Sequence, residues 1–454
     1  MNTLLFLIAF IGLGIIYFII GMFASRNITN LTDYFLAGRG LGILSVTATV
    51  IATQIGGGML IGTAEKAYHH GIYGIFYTLG MSIGLLLLST GIAGKLQALN
   101  IHSIAEVFEV CYGSTRLKIL GSVLSIITFS GILIGQIVAL KSLLIGLGFT
   151  SPLIFASFWT FILAYTIVGG LSAVVATDMI QVAIIVLVFS GIFIVNLLQE
   201  PASFFTWQSL VNFQGQFKSI TVTPLKMLPI VLAPALFSLI QQDLAQRFFA
   251  SKSKAVATTS AFISGIFLLL FSLIPIYFGM KARVFGLSEE SAFTKYLEYT
   301  TNEYVMIFAI CALIAAITST ADSLLNSISL HIAKDLDFLH PTTNDKLANA
   351  QYSTLGVGIV TFIGSYLVPQ DVINILIASY EISISTLFIP IFISYFKKRL
   401  YVEAAWGGVI GGMIGFIVFN FFLNVPYELP REVLSLGLSL VGYILGEMVA
   451  KSRL

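Results

Sequence analysis

The sequence predicts an all-α polytopic membrane protein with about 13 transmembrane helices. Three observations carry this. Of 454 residues, 57% are hydrophobic and only 10% are charged, where a soluble domain carries about 25% charged residues. The mean hydropathy is +0.97. Apolar runs of about 18 residues or more, each long enough to cross a bilayer, recur from one end to the other. The partner this composition implies is the lipid bilayer. The net charge of +2 points to no nucleic acid, and no obligate protein partner is evident.

Division at charged and turn-rich gaps places spans at 3–24, 41–67, 71–94, 115–147, 152–170, 174–198, 224–246, 254–283, 303–334, 348–367, 371–396, 402–423 and 431–450. The first is too long for a signal-peptide core and lacks preceding basic residues, so it is expected to be retained. After the last, "MVAKSRL" leads to no output domain, which counts against a receptor. Basic residues in alternate gaps set the orientation. One set holds 15, including Arg26, Arg39, Lys95, Arg247 and Lys397, and the other holds six. The richer set is expected in the cytoplasm, with the N-terminus outside and the C-terminus inside a bacterial-type plasma membrane. The outer loops near 199–223 and 284–302 contain amphipathic pieces such as "SEESAFTKYLEY", read either as cover over an entrance or as ordinary solvated helices. The sequons "NIT" and "NLT" at 27–32 fall on the expected cytoplasmic side. Cys111 and Cys311 have no metal-like spacing and are expected as free thiols.

Within the second span, "ATQIGGGML" (52–60) puts Gly56, Gly57 and Gly58 where unpaired backbone is most expensive. Glycine is roughly 1 kcal/mol worse than alanine in a helix. In hydrocarbon, irregular backbone persists only where it is buried in protein or lines a polar cavity. A helix that unwinds at mid-membrane frees carbonyls for an ion and a solute. Close packing against small residues is the other reading. The ninth span carries "AAITSTADSLLNSIS" (315–329), where Ala316, Thr320, Ser323 and Ser327 share a stripe edged by Ser319 and Asn326, with Asp322 beside it. Such hard oxygen donors suit an alkali or alkaline-earth cation. Ionisable groups inside spans are functional candidates by default. Here they are Asp178, Glu381, Lys141 and the pair Glu65–Lys66. Lys141 and Glu381 are left open as a pair, as solute ligands or as snorkelling groups.

The seventh span has its own expected break at Pro234, because proline removes a backbone donor. Five spans lie in 41–198 and five in 224–396. An odd number per half puts the halves in opposite topology, as in inverted-repeat transporters. Residues 1–40 form an extra helix and loop, 199–223 an extracellular loop, and 397–454 two trailing helices. The runs "GGGMLIG" and "GGVIGGMIG" follow no strand and are read as helix packing.

Four motifs give the chain a resemblance to the sodium:solute symporter family: "TDYFLAGRGLG" (32–42), "GGLSAVVATDMIQ" (169–181), "STADSLLNS" (319–327) and "QQDLAQRFFASKS" (241–253). The resemblance implies a leucine-transporter-like fold and Na+ as the coupling ion. It places the principal Na+ site on Ala52, Ile55, Ala316, Ser319 and Thr320. A second site, present in some members, falls on Asp178 and Ser323, with Asp322 replacing a serine. Solute ligands would be Gln54, Gly56, Gly57, Gln136, Phe237, Gln241 and Glu381. Phe237 and Pro234 stand where sugar-binding relatives have a hydroxylated aromatic and an asparagine, which argues for an amino acid or organic acid over a sugar. The expected function is sodium-coupled import of a small polar solute by alternating access, and not enzymatic. A proton-coupled symporter, a channel and a non-transporting sensor are the alternatives.

Overall fold

The computed structural model describes residues 3–26, 28–200, 224–289, 291–337, 346–368, 371–423 and 430–453. The outer loop expected at 199–223 lies outside these residues from 201 onward, as does Asn27 of the first sequon. No strand occurs among the described residues; Leu41 and Ser251 make an isolated bridge.

The main helices are α1 (Thr3–Ala24), α2 (Ile43–Gln54), α3 (Thr63–His70), α4 (Phe76–Leu87), α5 (Thr115–Gly146) and α6 (Pro152–Leu198). They continue with α7 (Pro224–Ser238), α8 (Gln242–Phe249), α9 (Lys254–Phe271), α10 (Leu273–Val284) and α11 (Glu303–Leu330). The last four are α12 (Lys346–Gly364), α13 (Val372–Ser394), α14 (Val402–Ile417) and α15 (Arg431–Ser452). Local chemistry sets several starts: Ser114, Ser253, Asn302 and Asp371 each accept a hydrogen bond from a first-turn N–H.

Ten helical stretches among the described residues are long and apolar enough to cross a membrane, fewer than the 13 spans expected. The second and third expected spans run on as one stretch, Gly58–Ala98, although the chain turns within it at Gly71 (φ 61°). The fifth and sixth run on as α6, which bends at Gly170 (φ 52°, ψ −159°). A Cβ on Gly170 would lie 2.5 Å from the Tyr34 carbonyl oxygen, so both the dihedral and the contact demand glycine. The half of α6 before the bend and α2 are short apolar helices, and α12 opens on the polar run "KLANAQYST".

Burial orders the helices from lipid to core. α1 and α15 are mostly exposed along their apolar lengths, whereas α11 is buried almost throughout. α14 and α15 pack backbone to backbone. A Cβ on Gly407 would collide with the Gly442 carbonyl, one on Gly442 with that of Gly407, and one on Gly412 with the Ser385 carbonyl of α13. This is the small-residue packing read from "GGVIGGMIG".

Two helices break where the core is deepest. α2 ends at Gln54, Ile55 leaves helical geometry (ψ 77°), and a π-helical turn at Gly58–Gly62 leads into α3. A Cβ on Gly56 would lie 2.6 Å from Thr320 Oγ1 and 2.8 Å from Gln136 Oε1, so no larger residue fits the break. The second break falls at residues 239–241, between α7 and α8, and not at Pro234. Pro234 is absorbed inside α7, where its carbonyl accepts from Ser238 Oγ at 2.7 Å. The lost proline donor kinks a helix but does not end it, and the chain opens five residues further on.

Candidate functional site

α11 passes the first break with its hydroxyl stripe turned toward it. Ser319 Oγ donates to the carbonyl of Ala52 at 3.0 Å, and Thr320 Oγ1 donates to that of Thr53 at 3.0 Å, with Ala52 at 3.5 Å. The same hydroxyls reach the Ala316 carbonyl at 3.0 and 3.3 Å. Four of the five residues expected to hold Na+ therefore meet across the gap between α2 and α11, and the fifth, Ile55, is the first residue beyond helical geometry. All five are buried. The donors are carbonyl and hydroxyl oxygens without a carboxylate, a set suited to a hard, singly charged cation.

A second polar cluster lies one turn further along α11. Thr49 Oγ1 donates to Asp178 Oδ2 at 2.5 Å and accepts from Arg247 Nε at 3.3 Å. Arg247 Nη2 donates to Ser323 Oγ and lies 4.0 Å from Asp178 Oδ2. Ser323 Oγ also pairs with Thr53 Oγ1 at 3.1 Å. Asp178 Oδ1 makes no hydrogen bond among the described residues. Asp322, grouped with Asp178 and Ser323 in the sequence reading, turns to a different helix and accepts from Thr166 Oγ1 of α6 at 2.6 Å. Successive helix residues diverge by 100°, so Asp322 and Ser323 face different partners.

Arg247 was counted among the cytoplasmic loop residues; the structure corrects this, for it sits in α8 and is wholly buried. Without it the basic-residue split is 14 to six. The i, i+4 spacing of Asp243 and Arg247 was the available signal: Arg247 Nη1 donates to the Asp243 carbonyl at 3.0 Å.

Between the two breaks is a cavity of about 20 Å³, room for roughly one water in this structure. Of the seven residues named as solute ligands, Gln54, Gly56, Gln136 and Gln241 line it, and Gly57, Phe237 and Glu381 do not. Gln54 Nε2 reaches Gln241 Oε1 at 3.4 Å, and the Gly57 N–H donates to Gln136 Oε1 at 2.9 Å. Phe237 stands behind the wall, stacked on Tyr380 with centroids 4.4 Å apart. The hydroxyls of Tyr380 and Tyr77 meet at 2.9 Å. The sequence reading missed Tyr77, Tyr380 and Asp243, all of which line the cavity.

Glu381 does not line this cavity. It follows Tyr380 on α13 and so faces the trailing helices, where it accepts from Asn420 Nδ2 at 2.6 Å. It does not pair with Lys141, whose ammonium lies over the Tyr366 ring at 4.5 Å. Lys66 pairs with Asp371 at 3.2 Å.

The sodium:solute symporter family model matches residues 34–415. The chain belongs to the sodium:solute symporter family. It is 25% identical over 359 residues to the sodium/proline symporter of Haemophilus influenzae, covering 72% of this chain and 70% of that protein. It is 23% identical to the high-affinity choline transporter 1 of Caenorhabditis elegans, covering 80% of this chain and 69% of that one. Among solved structures, a Na+-coupled sialic acid symporter in a substrate-bound outward-open state superposes with a TM-score of 0.80 at 17% identity, covering 97% and 96% of the two chains. That match shows the leucine-transporter-like fold. This symporter is a membrane transporter that couples solute import to Na+, and not an enzyme.

Proposed function

We propose that the chain imports a small polar solute, an amino acid or organic acid rather than a sugar, with one Na+ per cycle. The observation that carries this is the meeting of Ser319 and Thr320 with the Ala52 and Thr53 carbonyls across a glycine-built break. Na+ takes Ala52, Ile55, Ala316, Ser319 and Thr320. Arg247 takes the place of a second ion: its guanidinium already contacts Ser323 and Thr49 and faces Asp178, so another cation would meet a fixed positive charge. The solute sits in the neighbouring cavity on Gln54, Gln136 and Gln241, with Gly56 and Gly57 giving backbone access and Phe237 supporting the wall.

Alternating access follows from the break. Na+ draws α2 and α11 together, and the halves 41–198 and 224–396 rock about the filled site. An ion shifts such an equilibrium only by its differential affinity for the two states. One charge crossing about 100 mV supplies roughly 2.3 kcal/mol, about a fifty-fold solute gradient. The richer set of basic loops supports an N-terminus outside and a C-terminus in the cytoplasm, and the membrane is taken as a bacterial-type plasma membrane.

The test is binding of radioactive sodium to the purified protein by equilibrium dialysis. The expected result is one ion per chain with a Hill coefficient of one, no competition from K+, and loss of binding in Ser319→Ala/Thr320→Ala. Undiminished binding in that variant refutes the site, and two ions per chain refute the role given to Arg247.

A further inference from the structure

We propose that the solute carries a positively charged nitrogen and that Asp243 receives it. This rests on the reading of the cavity between the breaks as the solute site.

Asp243 is the second residue of α8, just past the break at 239–241, and is 1% exposed. Its Oδ1 accepts from the N–H of Leu244 at 3.0 Å. Its Oδ2 makes no hydrogen bond among the described residues, although the Gln241 side chain lies beside it. Arg247, one turn on, makes no salt bridge to this carboxylate, although its charge acts on it. It bonds the Asp243 backbone carbonyl and directs its guanidinium to Thr49, Ser323 and Asp178. Asp243 is therefore a buried carboxylate with half its acceptor capacity unused, and it lines the cavity. Leaving an ionised carboxylate in such a place is costly unless a cation answers it.

The rest of the wall fits the same ligand. Tyr77 and Tyr380 line the cavity, with Phe237 stacked on Tyr380, and Met59 and Met81 add polarisable apolar surface. Aromatic faces attract an ammonium through the ring quadrupole, most strongly where water is excluded. No lysine, arginine or histidine lines the cavity among the described residues, so an organic acid without nitrogen could face Na+ but would leave Asp243 unanswered. A zwitterion is accommodated, because Thr320 belongs both to this cavity and to the Na+ donor set. Its acidic end can face the ion while its nitrogen faces Asp243. For an amine the charges of the deep core close, with Asp178, Asp243 and Asp322 answered by Arg247, one Na+ and one ammonium; the carboxylate of a zwitterion adds one negative charge, which faces Na+. Within the proposed solute range, this selects amines and amino acids over plain organic acids.

The experiment measures melting temperatures of the purified full-length protein in saturating Na+. The probes are the 20 common amino acids, choline and glycine betaine (trimethylglycine), each set against a nitrogen-free analogue. For choline this is 3,3-dimethylbutanol and for proline cyclopentanecarboxylate. At least one ammonium compound is expected to stabilise the protein, while its nitrogen-free analogue does not. Asp243→Asn should weaken that compound at least a hundred-fold yet keep the Na+-induced shift, which reports an intact fold. Asp243→Glu should recover part of the affinity. Stabilisation by nitrogen-free analogues alone, by no ammonium compound, or equally in Asp243→Asn overturns the proposal. Failure of the cavity reading is seen separately: Gln136→Leu and Tyr380→Ala, on the other walls, would then leave every solute-induced shift unchanged.

Discussion

The hydroxyl of Ser319 lies 3.0 Å from the carbonyl oxygen of Ala52, across 267 residues of sequence. Neither group needs the other for its own helix, since α2 ends two residues after Ala52 and Ser319 also reaches the Ala316 carbonyl. Ser319→Ala removes one oxygen from the cation set while leaving both helices intact. Apparent Na+ affinity should fall at least tenfold, about 1.4 kcal/mol. Sodium titration of uptake in proteoliposomes checks this, and the melting temperature without Na+ should hardly move.

The space around Gly56 gives a second expectation. A methyl there would stand 2.6 Å from Thr320 Oγ1, and the neighbour cannot yield without leaving the Thr53 carbonyl. Gly56→Ala should abolish Na+-driven uptake while the protein still reaches the membrane. Transport assayed alongside surface expression separates the two, and wild-type uptake in the variant would count against the break as the working part.

Arg247 and Asp178 form a buried pair in a wholly enclosed cluster. Removing one partner of such a pair typically costs about 3–5 kcal/mol, because the other charge is stranded. Arg247→Met should therefore lower the melting temperature sharply, and Asp178→Asn in the same chain should restore much of the loss. A double-mutant cycle measured by thermal unfolding gives the coupling.

His102, in the loop before the short helix Glu106–Tyr112, supplies a pH expectation. Burial, then the Lys334 and Arg39 cations, push its imidazole down to about 4. The unfolded chain takes up a proton near pH 6.5, while the folded chain does not until about 4. Stability is thus fully present above pH 6.5 and is lost as pH falls from there toward 4. Melting temperatures of wild type and His102→Gln should diverge over this window, with the wild type losing more.

Much of the site was legible in the sequence because its chemistry is local. Three successive glycines in an apolar span mark the helix break, and a hydroxyl stripe at helical spacing marks the face that meets it, without tertiary information. What escaped was decided by packing. Asp243 falls inside the expected span 224–246 and Arg247 just beyond it, and only their enclosure beneath α2 and α11 makes both core residues. Glu381 escaped for a different reason. An ionisable residue in a span signals importance but not rotation, and on α13 it is Tyr380 that faces the cavity. Pro234 marked the right helix and the wrong residue, since a missing donor loosens a turn but the chain opens only where Gln241 adopts extended backbone (φ −71°, ψ 120°).

The glycine contacts of the trailing helices reach further than their place at the periphery suggests. With Gly407 against Gly442 and Gly412 against the Ser385 carbonyl, α13, α14 and α15 have no slack in which to slide, so they travel as a single slab. Tyr380 rides on that slab. One side of the cavity between the breaks is therefore bolted to lipid-facing scaffolding, and whatever moves during the cycle must move relative to it.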